Sequence, residues 1–201
     1  MADSFIHWAE HLFLSAEEDA WANGFDQLLD RWQLEDCRRL LVAAKRRVSD
    51  HPLWEQRIQT CEGRLLLHRG EWTRAESAFR AALNALDDGE TLEFYRLTAD
   101  LGLIHRLRGD MKKAIHNHRL CLDLAAQNQW ADAAAEAHIQ LGLDYEITGE
   151  LHRAEQHLLE AEDLYDQLAD ELQIALVRKS LALIVIRLRQ FDRAYNLLIA
   201  T

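Results

Sequence analysis

Residues 66–79 read LLHRGEWTRAESAF, and the phrase returns three times, as IHRLRGDMKKAIHNH at 104–118, YEITGELHRAEQHL at 145–158 and VIRLRQFDRAYNLL at 185–198. Each copy can be anchored on a small residue that follows a basic one: Arg74-Ala75, Lys113-Ala114, Arg153-Ala154 and Arg193-Ala194. The anchors lie 39, 40 and 40 positions apart. Twelve positions upstream of each stand Gly63, Gly102, Gly142 and Ala182. Five upstream stand Gly70, Gly109, Gly149 and Arg189, and three upstream the large apolar Trp72, Met111, Leu151 and Phe191. A degenerate first copy, LLDRWQLEDCRRLL at 28–41, aligns without gaps. There Cys37 takes the place of Ala75, Leu34 that of Trp72, Phe25 that of Gly63 and Trp32 that of the turn glycine.

One copy predicts one helical hairpin. Glu55 to His68 carries apolar or small residues at helical spacing. Arg69-Gly70-Glu71 breaks that helix, with Gly70 suited to a left-handed cap. Trp72 to Leu86 is a second helix, stopped by Asp87-Asp88-Gly89. Gly63 and Ala75 are expected where the two helices cross, because a larger side chain would force the axes apart. Trp72 is expected to fill the hollow beside the turn. A single hairpin leaves apolar faces uncovered, so each must stack on its neighbours.

Composition agrees. Of 201 residues 49% are hydrophobic, too many for a disordered chain, while eight Gly and one Pro give few strand-turn signals. The net charge of -11 argues against wrapping duplex nucleic acid, a polyanion, though it leaves room for a locally basic groove. The start, MADSFIHWAEHLFL, has no basic secretory n-region, and no apolar run reaches the ~20 residues that span a bilayer. Three widely spaced cysteines, Cys37, Cys61 and Cys121, fit neither a disulfide framework nor a zinc knuckle, and a reducing cytoplasm is the expected location. All three are expected as buried, inert thiols.

Chemistry-bearing patterns are sparse. His7 and His11 stand four apart in HWAEH, without the spacing of a metalloprotease or a third ligand, and read as a surface pair. His116 and His118 are two apart on a helix and cannot face one site together. His152 and His157 read as surface or packing residues. No phosphate-binding loop, dinucleotide turn or nucleophile elbow occurs. No catalytic activity, cofactor or metal is expected of this segment.

Small residues at two fixed places with a turn glycine between them, at a period slightly above 34, resemble the tetratricopeptide repeat. The resemblance covers roughly residues 17–201. The period near 40 resembles the lengthened repeats of kinesin light chain and of sensor arms in bacterial signalling ATPases. The aromatic expected three residues after the first glycine stands only as Tyr145, and the closing proline is absent. The resemblance implies an all-α fold, a right-handed superhelical solenoid of about five antiparallel helix pairs. The units fall at about 17–50, 53–88, 91–129, 131–169 and 171–201, the last incomplete. That last unit stops inside its second helix, so the chain is expected to be a fragment or to have its end covered by a partner. Residues 1–16 are expected as a capping helix, with a partner-binding or membrane-surface helix as the alternative. Ser15 and Glu18 make a capping box behind it.

In such arrays the first helix of each pair lines the concave face. The resemblance therefore implies a peptide groove formed by Arg57, Arg64, Arg96, Arg106, Ile139, Gln140, Leu143, Lys179 and Arg187. Four of these make a basic strip suited to an acidic or C-terminal peptide, with Ile139, Leu143 and Ile147 receiving an apolar side chain. The opposing reading is that these arginines pair with Asp100, Glu62 or neighbouring acids as ordinary helix charge. Three function classes follow: a protein-interaction scaffold within a larger protein, a ligand-sensing arm of a signalling ATPase or transcriptional regulator, and self-assembly into a homo-oligomer through exposed terminal helices. Nucleic acid and membrane are not expected partners of this segment.

Overall fold

A computed structural model of the chain describes residues 18–47, 52–86 and 91–199. The proposed capping helix, the Ser15 box, His7, His11 and the Asp87-Asp88-Gly89 stop lie outside them. The described residues form ten α-helices: α1 Glu18–Asp30, α2 Leu34–Arg47, α3 Pro52–His68, α4 Trp72–Asn84, α5 Leu92–Leu107, α6 Met111–Gln127, α7 Ala131–Thr148, α8 Leu151–Gln167, α9 Glu171–Arg187 and α10 Phe191–Ile199. Among the described residues there is no strand. The chain divides into two compact units, Met1–Leu97 and Thr98–Thr201, with the division inside α5.

The glycine column sets the turns. Gly70, Gly109 and Gly149 adopt φ of +73°, +79° and +83°, the left-handed region that a Cβ penalises. The next residue then bonds back five positions: the Glu71, Asp110 and Glu150 N–H groups donate to the Leu66, His105 and Tyr145 carbonyls at 2.9, 2.8 and 2.9 Å. This closes the orphan carbonyls of the preceding helix. Trp32 and Arg189 stand in the same column without being glycine, yet they take φ of 57° and 62°. Their successors make the same bond, Gln33 to Leu28 at 2.9 Å and Gln190 to Val185 at 2.8 Å. Packing of the hairpin therefore imposes the turn, and those two residues absorb its strain.

The second glycine column sets the helix crossings. A Cβ on Gly63 would stand 2.5 Å from Phe79, one on Gly102 2.4 Å from His118, and one on Gly142 2.9 Å from Leu158. The opposing residue is in each case the fourth after the anchor alanine, and Ala75, Ala114 and Ala154 are themselves fully buried. Trp72 is 37% exposed, so most but not all of its surface is covered.

The core of the first unit gathers Trp21, Phe25, Cys37, Leu40, Trp54 and Ile58. Trp21 stacks on Phe25 and meets Trp54 edge-on, with centroids 5.8 and 5.6 Å away. Bulk supplied by Phe25 and Trp21 replaces the close glycine contact of the later hairpins. In the second unit the core runs through Leu141, Tyr145, Leu158, Tyr165, Val177, Leu181 and Ile184.

Candidate functional site

In the first unit, Arg57, Thr60 and Arg64 lie on α3 at spacings of three and four, which place them on one helical face. That face meets Ala22, Asn23 and Asp26 of α1 and Thr91, Glu93 and Arg96 around the start of α5. Together they line a cleft of about 500 Å³. Arg64 Nη1 donates to Asp26 Oδ2 at 2.5 Å. Arg57 Nη1 lies 3.0 Å from Glu93 Oε2, and the more exposed Arg96 lies 3.9 Å from the same oxygen. Gln56 Nε2 donates to Glu93 Oε1 at 3.2 Å, fixing the carboxylate. The first-unit part of the basic strip is thus a mixed-charge cleft, with three guanidiniums facing two carboxylates, the pairing with neighbouring acids that the opposing reading of the sequence expects. The counter-ions are Asp26 and Glu93, whereas Glu62 pairs with Lys45 at 2.6 Å.

The remaining groove residues lie in the second unit. Arg106 is held by Asp144 Oδ1 at 3.2 Å and by Gln140 Oε1 at 2.5 Å, and Gln140 Nε2 donates in turn to Glu136. Ile139 packs against the core and Leu143 is half-buried. Arg187 donates to Glu146 at 3.0 Å. Lys179 is exposed on α9.

The sequence reading missed a buried polar pair. His118 Nδ1 lies 2.6 Å from Asp144 Oδ2, with His118 1% and Asp144 0% exposed. The signal was present: Asp144 occupies a column filled elsewhere by Leu65, Ile104 and Ile184, and His118 one filled by Phe79 and Leu158. The pair has the residue types of a base and its orienting carboxylate, but closure from solvent denies it a substrate.

A second histidine pair lies between α7 and α8. His138 and His157 approach Nδ1 to Nδ1 at 3.0 Å, and His157 stacks on Tyr145 at 5.4 Å. Burial depresses the His138 pKa, against a smaller opposing pull from Glu160. Burial first, then His138, Arg119 and Arg153, lower that of His157 to about 4. Cys37, Cys61 and Cys121 are buried thiols, and burial pushes Cys37 and Cys121 up to about 12 and raises Cys61 as well. Among the described residues no three His, Cys, Asp or Glu side chains gather to hold a metal, and no helix is long and apolar enough to cross a membrane.

No family model and no curated protein sequence matches the chain. Solved structures do. BtubC (BKLC) from P. vanneervenii superposes with a TM-score of 0.76 at 16% identity, over 99% of this chain and 86% of that one. A signal transduction ATPase with a tetratricopeptide repeat sensor from Pyrococcus horikoshii gives 0.73 at 14% identity, over 94% of this chain and 32% of that one. The chain has the tetratricopeptide-repeat fold. A further match is Bacillus thuringiensis PlcR in complex with the peptide PapR7 and DNA, with a TM-score of 0.73 at 10% identity, over 91% of this chain and 68% of that one.

Proposed function

We propose that the chain is a non-catalytic protein-interaction module, and that its first unit receives a carboxylate-bearing peptide segment of a partner in the cleft between Asp26 and Glu93. The observation that carries this reading is the convergence of Arg57, Arg64 and Arg96 on one cleft of about 500 Å³. Asp26 and Glu93 hold two of the guanidiniums in place in the cleft, so little rotamer entropy remains to be lost on binding. An incoming carboxylate exchanges with an internal one, a trade that favours a ligand able to engage a guanidinium through both oxygens. The fold likeness to PlcR, solved with a bound peptide, supports a peptide as the ligand class.

Display of a random peptide library against the chain tests this. Enrichment of Asp, Glu or a free C-terminus is expected. The Arg64→Gln/Arg96→Glu double variant should lose that enrichment while keeping its melting temperature within a few degrees. Enrichment without acidic bias, or unchanged in the double variant, overturns the reading.

A second reading rests on the fold likeness to the signalling ATPase with a repeat sensor: the chain is the ligand-sensing arm of a larger regulator. A nucleotide-binding or DNA-binding domain in the same reading frame is its expected signature.

A further inference from the structure

We propose that His138, His157 and Glu160 form a binding site for a divalent transition-metal ion, Zn²⁺ first among them, that ties α7 to α8. The two imidazoles come from the two helices of one hairpin and face each other Nδ1 to Nδ1 at 3.0 Å. Zinc binds imidazole nitrogen at about 2.0–2.1 Å in tetrahedral geometry, which sets two such nitrogens about 3.3 Å apart. The pair thus stands within a few tenths of an ångström of the edge of a zinc tetrahedron. Both side chains are half-buried, held by packing and yet within reach of an ion. The stack on Tyr145, with planes 9° apart, fixes the His157 ring further.

Without a metal, a hydrogen bond between the two Nδ1 atoms needs one proton, so one ring donates and the other accepts. Burial lowers the pKa of both rings. Both are therefore neutral at neutral pH, the form in which imidazole binds a metal. The ion takes the place of the shared proton, which passes through solvent to the Nε2 of the same ring. Each ring stays neutral, with the metal on Nδ1 and the proton on Nε2.

Glu160 supplies the third donor. It follows His157 by three positions, a spacing that puts both on one face of α8. Its charge already acts on His138 across the hairpin. Glu160 is exposed, so turning its carboxylate toward the imidazoles disturbs no buried contact. Two imidazoles and a carboxylate leave the fourth tetrahedral position to water. Arg119 and Arg153, the cations whose charge reaches His157, are turned to other partners, Tyr145 Oη and Glu150. The set is also peculiar to this hairpin. At the corresponding places the preceding hairpin carries Thr98, Asn117 and Leu120, and the following one Arg178, Leu197 and Ala200. Packing of the repeat therefore does not call for these three side chains.

Titration of the tag-free chain, first stripped with a chelator, with Zn²⁺ at neutral pH tests the proposal. Calorimetry should show a saturable site, and the melting temperature should rise because the ion binds the folded chain. Mg²⁺ at the same concentration should do neither, since it prefers oxygen donors. His138→Gln and His157→Phe should each remove the site, with metal-free melting showing that each variant folds. Glu160→Gln, at an exposed position, should keep the metal-free melting temperature. It should cost at least about tenfold in affinity, since it removes a ligand and even supporting contacts are typically worth 10–100-fold. His152→Gln, also on α8, should leave binding unchanged. A chain that binds no Zn²⁺ overturns the proposal, as does a site that survives either histidine variant. An unaltered affinity in Glu160→Gln, or an equal response to Mg²⁺, overturns it as well.

Discussion

The imidazole of His118 and the carboxylate of Asp144 meet at 2.6 Å inside the second unit, with Arg106 on the other carboxylate oxygen at 3.2 Å. Removing one member of such a pair strands the other in a place water does not reach, which typically costs about 3–5 kcal/mol. Asp144→Ile should therefore destabilise the chain by about 3 kcal/mol in urea denaturation. Adding His118→Leu should recover part of the loss, because both columns hold aliphatic or aromatic residues in sister hairpins, while Arg106 still lacks its carboxylate. Additive losses in the double variant would show that the pair is not the unit of stability.

The histidines between α7 and α8 make a pH prediction. The folded pKa of His157 lies near 4, below the usual 6.5, so the folded chain binds fewer protons than the unfolded one between those values. Stability is fully present above about pH 6.5 and is lost as the pH falls toward 4. His138, also depressed by burial, adds in the same direction. The melting temperature should drop from pH 7.5 to pH 5, and His157→Phe should flatten that slope while keeping the stack on Tyr145.

Gly63 should tolerate no side chain. A methyl there would overlap the Phe79 ring at 2.5 Å, so Gly63→Ala should cost about 1–3 kcal/mol despite the better helix propensity of alanine. Phe79→Leu in the same chain should relieve part of the cost. A neutral Gly63→Ala by thermal melting would show that the two helices part freely.

Arg189 should be improvable. It holds φ of 62° at a turn where three sister positions use glycine. Arg189→Gly should stabilise by about 0.5–1 kcal/mol, the strain relief exceeding the extra freedom glycine gives the unfolded chain.

The hairpins could be read from the sequence because their signals are local: a glycine at the turn, another at the crossing, and an alanine opposite. Two of the cleft arginines, Arg57 and Arg64, could be found on one face of α3 for the same reason. Their counter-ions could not, because Asp26 and Glu93 stand 38 positions before Arg64 and 36 after Arg57. Which acid answers which arginine depends on how neighbouring hairpins pack, and the period alone does not carry that. His118 and Asp144 were overlooked for the opposite reason. Each looks unremarkable on its own helix and departs from pattern only when its column is compared across hairpins.

The five-residue bonds that close every hairpin turn also close the connections between hairpins in the second unit, from Trp130 to Ala125 at 2.9 Å and from Asp170 to Tyr165 at 3.1 Å. Order there is thus built from segments close along the polypeptide, so the chain can begin to fold at any of several starting points and pays little loop entropy at each step. Lineages carrying such a design can lengthen or shorten it by whole hairpins without redesigning the ones they keep.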